Sequence, residues 1–310
     1  MTSAPEWAQR AEQGHALALR LMAWIAVTLG RPAARLLLHP ITLYYLAFAA
    51  PARRASRRYL ARAFGRPARW REVYRHLHAF AATVLDRVYF VRGELQSFDI
   101  ALTGGELVDA QVAAGGGAFL LGAHIGSFES LHAIGASRPG LRVAMAMYPD
   151  NARKIHAVLR ALAPAFELGI IPIGQAGSTL AIREWLAGGG LVGLLGDRQI
   201  GPEGPRTGSI ELPFLGHPAT FSEGPLRLAL LLRKRVIFMV GLYLGGRRYE
   251  VRFLSLADFS LAADAAARET LLREALVRYV SMLEALVREA PYNWFNFYDY
   301  WCEDPPAATP

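Results

Sequence analysis

Two apolar stretches open the chain, Leu21 to Leu29 and Leu36 to Ala50, with Gly30-Arg31-Pro32 between them. Neither reaches the roughly 20 residues that a spanning helix needs. Joined, they would carry Arg31 and Arg35 into the bilayer core, at a cost of about 2.5 kcal/mol or more each. The pattern predicts two short helices lying in, or dipping into, one leaflet. A tilted span and a buried helical hairpin remain open alternatives. No charged region precedes the first stretch and no small-residue cleavage site follows it, so a secretory signal is not expected.

From about Leu102 the pattern changes to helix, glycine, strand. Glu106 to Ala114 has helical character, Gly115-Gly116-Gly117 stops it, and Ala118 to Ala123 is a continuous apolar run. The order repeats: Ser178 to Ala187, with Ser178 or Thr179 as N-cap, then Gly188-Gly189-Gly190, then Leu191 to Gly196. Both triplets precede strands, so they act as helix stops; a dinucleotide fingerprint needs its glycines after the strand. Further strands are predicted at Arg142 to Met147, Leu168 to Ile173, Ile210 to Phe214 and Val236 to Leu244, with Tyr249 to Leu256 as an outer strand. Ala152 to Leu162, Glu223 to Leu232 and Ala265 to Arg288 have helical patterns.

This alternation implies an α/β fold, a mostly parallel mixed sheet covered by helices on both faces. The expected organisation is a membrane-associating helical segment over 1–60, an α/β domain over 61–302 and a frayed Pro/Ala-rich tail over 303–310.

Composition adds a partner class. The chain is 310 residues long, 53% hydrophobic and 19% charged, with a mean hydropathy of +0.20. That excludes disorder for most of its length. The formal charge is +8, carried almost wholly by arginine. Arg53, Arg54, Arg57, Arg58, Arg62, Arg66, Arg69, Arg71 and Arg75 directly follow the apolar region. Such a cluster suits an anionic membrane surface, at about 1 kcal/mol per charge, or an acidic carrier protein; the plainer alternative is a solvated helix face. Nucleic acid is not expected as a partner, because Tyr59, Phe64, Trp70 and Tyr74 have helical spacing. The single cysteine, Cys302, excludes an internal disulfide and any multi-cysteine metal site. His76 and His78 stand two apart in a helical pattern and read as ordinary helix residues.

The chemistry concentrates at two strand ends. His124-Ile125-Gly126-Ser127-Phe128-Glu129 follows one apolar run, and Asp197-Arg198-Gln199 follows another. In a parallel sheet both carboxyl ends lie on one edge, where open α/β sheets bind ligands. Histidine takes a proton from an alcohol near neutral pH, and a carboxylate fixes its tautomer.

The run His124 to Glu129 has the His-x4-Asp/Glu form of the lysophospholipid acyltransferase superfamily. More narrowly, the chain resembles the late lipid A acyltransferases. Supporting stretches are Tyr148-Pro149-Asp150-Asn151 leading to Arg160, Gly196-Asp197-Arg198-Gln199, and Leu212-Pro213-Phe214-Leu215-Gly216 followed by Ala219-Thr220. Ser127-Phe128 departs from that group's usual Asn-Trp. The ending Trp294 to Trp301 is similar instead to a sister branch of acyltransferases associated with aryl polyene pigments, which puts the lipid A acceptor in question.

The resemblance implies transfer of an acyl chain from an acyl carrier protein thioester, or from coenzyme A, to a hydroxyl of a lipid or glycolipid. It implies no metal or organic cofactor, and a place on the cytoplasmic face of a bacterial inner membrane. It makes His124 the general base and Glu129 its orienting and charge-stabilising partner. Arg160, with Arg198 second, would stabilise the oxyanion or hold phosphate. Asp197 would position that arginine or the acceptor. Ser127, Asn151, Arg198 and Gln199 are the implied substrate-binding residues. His132 and His217 read as structural.

Two other function classes compete. A serine hydrolase would use Ser127, but the surrounding residues lack the second glycine of a nucleophile elbow. A non-enzymatic scaffold that docks a carrier protein at the membrane would fit the arginines equally well.

Overall fold

A computed structural model describes residues 24–128, 141–148, 169–198, 208–261 and 264–301. Among the described residues a helical stretch over 24–28 leads into three helices: α1 (Gly30–Phe48), α2 (Ala50–Phe64) and α3 (Trp70–Val91). Pro32 sits in the first turn of α1, where its missing N–H costs nothing. Only Ala34, Leu38 and Thr42 of α1 are buried, a narrow stripe at four-residue spacing. The other faces keep Leu36 70% and Phe48 74% exposed. Among the described residues no single helix is long and apolar enough to cross a membrane; α1 and α2 together pass that test, bent by 94°.

Arg31 and Arg35 do not face outward. Arg31 gives Nε and Nη2 to the two oxygens of buried Asp86 on α3, both at 2.8 Å. Tyr249 donates its hydroxyl to the same carboxylate at 2.8 Å. Arg35 reaches the Tyr243 hydroxyl at 2.6 Å. These bonds fasten α1 to the sheet.

The sheet has seven strands: β1 (Asp99–Thr103), β2 (Ala118–Gly122), β3 (Val143–Met147), β4 (Gly169–Pro172), β5 (Leu191–Leu195), β8 (Arg235–Gly245) and β9 (Arg248–Asp258). Their order is β1-β9-β8-β2-β5-β3-β4. Only the β8–β9 hairpin is antiparallel. Helices α4 (Gly105–Ala113), α5 (Ser178–Ala187), α6 (Gly224–Leu231) and α7 (Ala265–Glu289) cover it. Alternate residues of β2 serve two cores. Phe119 and Leu121 pack toward α2, α3, α6 and α7, whereas Ala118 and Leu120 pack toward Val108 of α4. A central strand buried on both sides explains the unbroken apolar run.

Three expectations change. Tyr249 to Leu256 lies inside the sheet, because β1 pairs along its far side; β1 is short and mostly exposed, so no apolar alternation announced it. Ile210 to Phe214 does not join the main sheet. It forms β6 (Ser209–Phe214), paired with β7 (His217–Ser222) in a separate hairpin. The residue before α5 is Gly177, and Ser178 instead donates its hydroxyl to the carbonyl of Pro172 at 2.7 Å. The glycine triplets do end α4 and lead out of α5. Gly117, at φ 50°, passes so close to the Leu186 carbonyl that a Cβ would collide with it. The helix expected over Ala152 to Leu162 lies outside the described residues.

Candidate active site

Parallel pairing puts two side chains face to face. The β2–β5 register matches Gly122 with Leu195, so His124 and Asp197 each stand two residues beyond a paired position. His124 Nδ1 meets Asp197 Oδ1 at 2.8 Å. The His124 backbone N–H donates to Oδ2 of the same carboxylate at 3.1 Å. Behind His124 the chain turns at Gly126, whose φ of 65° and tight approach to the Gly241 carbonyl exclude a side chain.

A C-terminal strap closes the back of the site. Phe295 N–H donates to the His124 carbonyl at 2.7 Å, and Gly126 N–H donates to the Asn293 carbonyl at 2.8 Å. Trp294 Nε1 and Asn296 Nδ2 donate to Asp197 Oδ2 at 3.0 and 2.9 Å. Asn293 fixes the strap to β8 through both backbone groups of Tyr243. Arg198 donates from Nε to Asn296 Oδ1 at 2.8 Å and from Nη2 to the Phe295 carbonyl at 3.2 Å. A second imidazole braces the strap from behind: buried His76 on α3 holds the Trp294 carbonyl at 2.8 Å and Ser56 Oγ at 2.8 Å.

Electrostatics follow from this packing. Burial alone would raise the Asp197 pKa, but His124, Arg198 and Asn296 together hold it well below the usual carboxylate range. Burial, then the Arg198 charge, push His124 below the ordinary imidazole value, while Asp197 pulls the other way. His124 is therefore neutral near pH 7. An ionised carboxylate accepts a proton-bearing Nδ1, which leaves the Nε2 lone pair unprotonated. The His124 side chain is 27% exposed and that of Asp197 is wholly buried. The ring is thus open at one edge and fixed at the other.

The structure brings together His124, Asp197 and Arg198. The Asp197 carboxylate meets the His124 imidazole directly and is linked to Arg198 through Asn296. A carboxylate at this place can orient the imidazole, a contact the sequence did not assign to Asp197. Ser127 is fully buried, with its N–H on the Gly241 carbonyl. A side chain so enclosed is not presented at the surface as a nucleophile elbow presents its serine. Glu129, Asn151, Arg160 and Gln199 lie outside the described residues, as do His132 and Cys302. Among the described residues no group of three or more His, Cys, Asp or Glu side chains could hold a metal ion.

Sequence reasoning missed His76, Asn293, Trp294 and Asn296 as parts of the site. The signal was present in Asn293-Trp294-Phe295-Asn296, where amides alternate with large rings. Buried amides need specific partners, and here the partners are the site itself.

With this geometry in place, the family comparison is decisive. Residues 13–302 match the family model for bacterial lipid A biosynthesis acyltransferases. The chain belongs to that family. It is an acyltransferase of lipid biosynthesis, with the α/β fold described above. A solved structure, the 1-acyl-sn-glycerophosphate (LPA) acyltransferase PlsC from Thermotoga maritima, is similar at 14% identity and a TM-score of 0.36, over 87% of this chain and 97% of that one. A likeness so distant carries no argument about individual residues. No curated protein sequence matches the chain.

Proposed function

We propose that this acyltransferase moves an acyl chain from an acyl carrier protein thioester to a hydroxyl of a lipid or glycolipid, with His124 as general base. The observation that carries the reading is the His124–Asp197 contact at the mouths of two adjacent strands, with the imidazole partly open and held neutral.

The acceptor hydroxyl gives its proton to His124 Nε2 as its oxygen attacks the thioester carbonyl. The carbonyl becomes a tetrahedral oxyanion. Collapse expels the thiolate, which takes the proton from the imidazolium. Asp197 holds the ring and stabilises its transient charge. Arg198, beside the dyad, favours the oxyanion. General-base help of this kind contributes roughly 10²–10⁴ in rate, and one oxyanion donor roughly 10²–10³. Glu129 remains a candidate for orienting and charge-stabilising His124, and Arg160 for assisting the oxyanion or holding phosphate.

The exposed apolar face of α1, with Leu36, Leu43, Tyr44 and Phe48, supports a peripheral or monotopic seat on the cytoplasmic side of a bacterial inner membrane. That seat would give the site both a membrane-borne acceptor and a water-borne donor.

The test is turnover of acyl carrier protein thioesters against extracted membrane lipids, read by mass spectrometry. His124→Ala is expected to lower kcat at least a hundredfold with the fold intact by circular dichroism. Near wild-type transfer by that variant would end the general-base assignment.

A further inference from the structure

Helix α2 carries a second feature that catalysis does not use. Its buried stripe, Ala55, Ser56, Tyr59, Leu60 and Ala63, packs inward. The opposite stripe presents Arg54, Arg57, Arg58 and Arg62 at three- and four-residue spacing, and with Arg66 these line a cleft of about 680 Å3. Ala61, Pro67, Ala68 and Leu215 supply apolar wall, and among the described residues no carboxylate lines it. The far wall is the tip of the β6–β7 hairpin. It is held in shape by Leu215, at φ 53° and with its N–H on Glu284 at 2.7 Å. The Arg62 guanidinium sits over the Trp301 ring, 4.0 Å from its centroid, and Arg58 and Arg66 pair with Asp299 and Glu72.

We infer that this cleft is a binding site for the phosphate of a membrane lipid headgroup. The inference rests on the membrane seat proposed above. Guanidinium forks match phosphate oxygens bidentately. The site is a shallow, open cleft that mixes charge with apolar wall, which fits a compact anion joined to a glycerol stem. The position agrees: α2 begins two residues after Phe48, the exposed end of the apolar face of α1. Phosphates lie at that level of a bilayer, just outside the apolar layer.

The experiment compares the full chain with Arg54→Gln/Arg57→Gln and with Arg71→Gln/Arg75→Gln, which removes the same charge outside the cleft. Each is sedimented with phosphatidylcholine vesicles with and without phosphatidic acid. The cleft variant should lose roughly thirty-fold in affinity for the phosphatidic acid vesicles, the control much less. Both should keep turnover on detergent-dispersed acceptor.

Equal losses in the two variants would reduce the effect to general charge and overturn the site. Loss of inorganic phosphate binding with unchanged vesicle binding would assign the cleft to soluble phosphate. Loss of acyl carrier protein capture alone would assign it to the carrier. Either result would overturn the lipid source. Wild-type protein that binds vesicles as expected but transfers no acyl group would defeat the catalytic reading and leave this one standing.

Discussion

Asp197 is a buried carboxylate with four N–H donors on it: two from His124, one from Trp294 and one from Asn296. That arrangement keeps it ionised and makes the tautomer of His124 a consequence of packing. Asp197→Asn keeps the shape but lets an amide face Nδ1, so the ring can present the wrong nitrogen. Loss of kcat on the order of 10⁴ is expected. The pH profile separates the neighbours. The acid limb of kcat/KM should fall below the ordinary imidazole value of 6.5, because burial and Arg198 lower the His124 pKa. Arg198→Gln should move that limb upward, since it removes a depressing charge. A limb that stays put in Arg198→Gln would show that another group controls the profile.

At the scale of elements, the site is made where β2, β5 and the strap meet. The two strands contribute His124 and Asp197, and the strap holds the carboxylate through Trp294 and Asn296. Trp294 is the element's anchor: fully buried, and packed against Tyr59, Phe214 and Tyr300 with ring centroids 4.9, 5.3 and 4.7 Å away. Trp294→Phe keeps most of that packing and deletes the indole N–H on Asp197. A lost hydrogen bond to a buried charge costs about 1.5–3 kcal/mol, and the smaller ring adds a cavity term. Denaturant unfolding should show a drop of that size or somewhat more, with turnover reduced as the carboxylate loosens. Full stability in this variant would mean that the strap is held without its contact to Asp197.

Across the whole molecule, the N-terminal helices and the site share one support. His76 sits between Ser56 of α2 and the strap. Burial lowers its pKa to about 4, against a bond to the Trp294 carbonyl that raises it. Half-buried His78 is lowered to about 4 as well, by burial, His39 and Arg35. Both imidazoles bind protons more readily in the unfolded chain than in the folded one. Their stabilisation is therefore complete above about pH 6.5 and is lost as the pH falls toward 4. For His76 the full loss is about 3 kcal/mol. Denaturant midpoints measured between those limits should decline with acid, and His76→Gln should decline less steeply. Parallel curves for the two proteins would remove His76 as a source of the acid sensitivity.

Much of this molecule is legible from the order of its residues. The helix–glycine–strand repeat, the runs Ala118 to Ala123 and Leu191 to Gly196, and the polar groups beyond each of them follow from local periodicity and from glycine's tolerance of positive φ. They are enough to place His124 and Asp197 on one sheet edge. Only the folded chain decided that these two residues touch, because strand register depends on packing between segments about seventy residues apart. It also decided that Ser127 is sealed in the core, and that the aromatic ending holds the Asp197 carboxylate. The same holds for the arginines: a helical repeat shows that they share a stripe of α2, but it takes the β6–β7 hairpin opposite them to turn that stripe into a cleft.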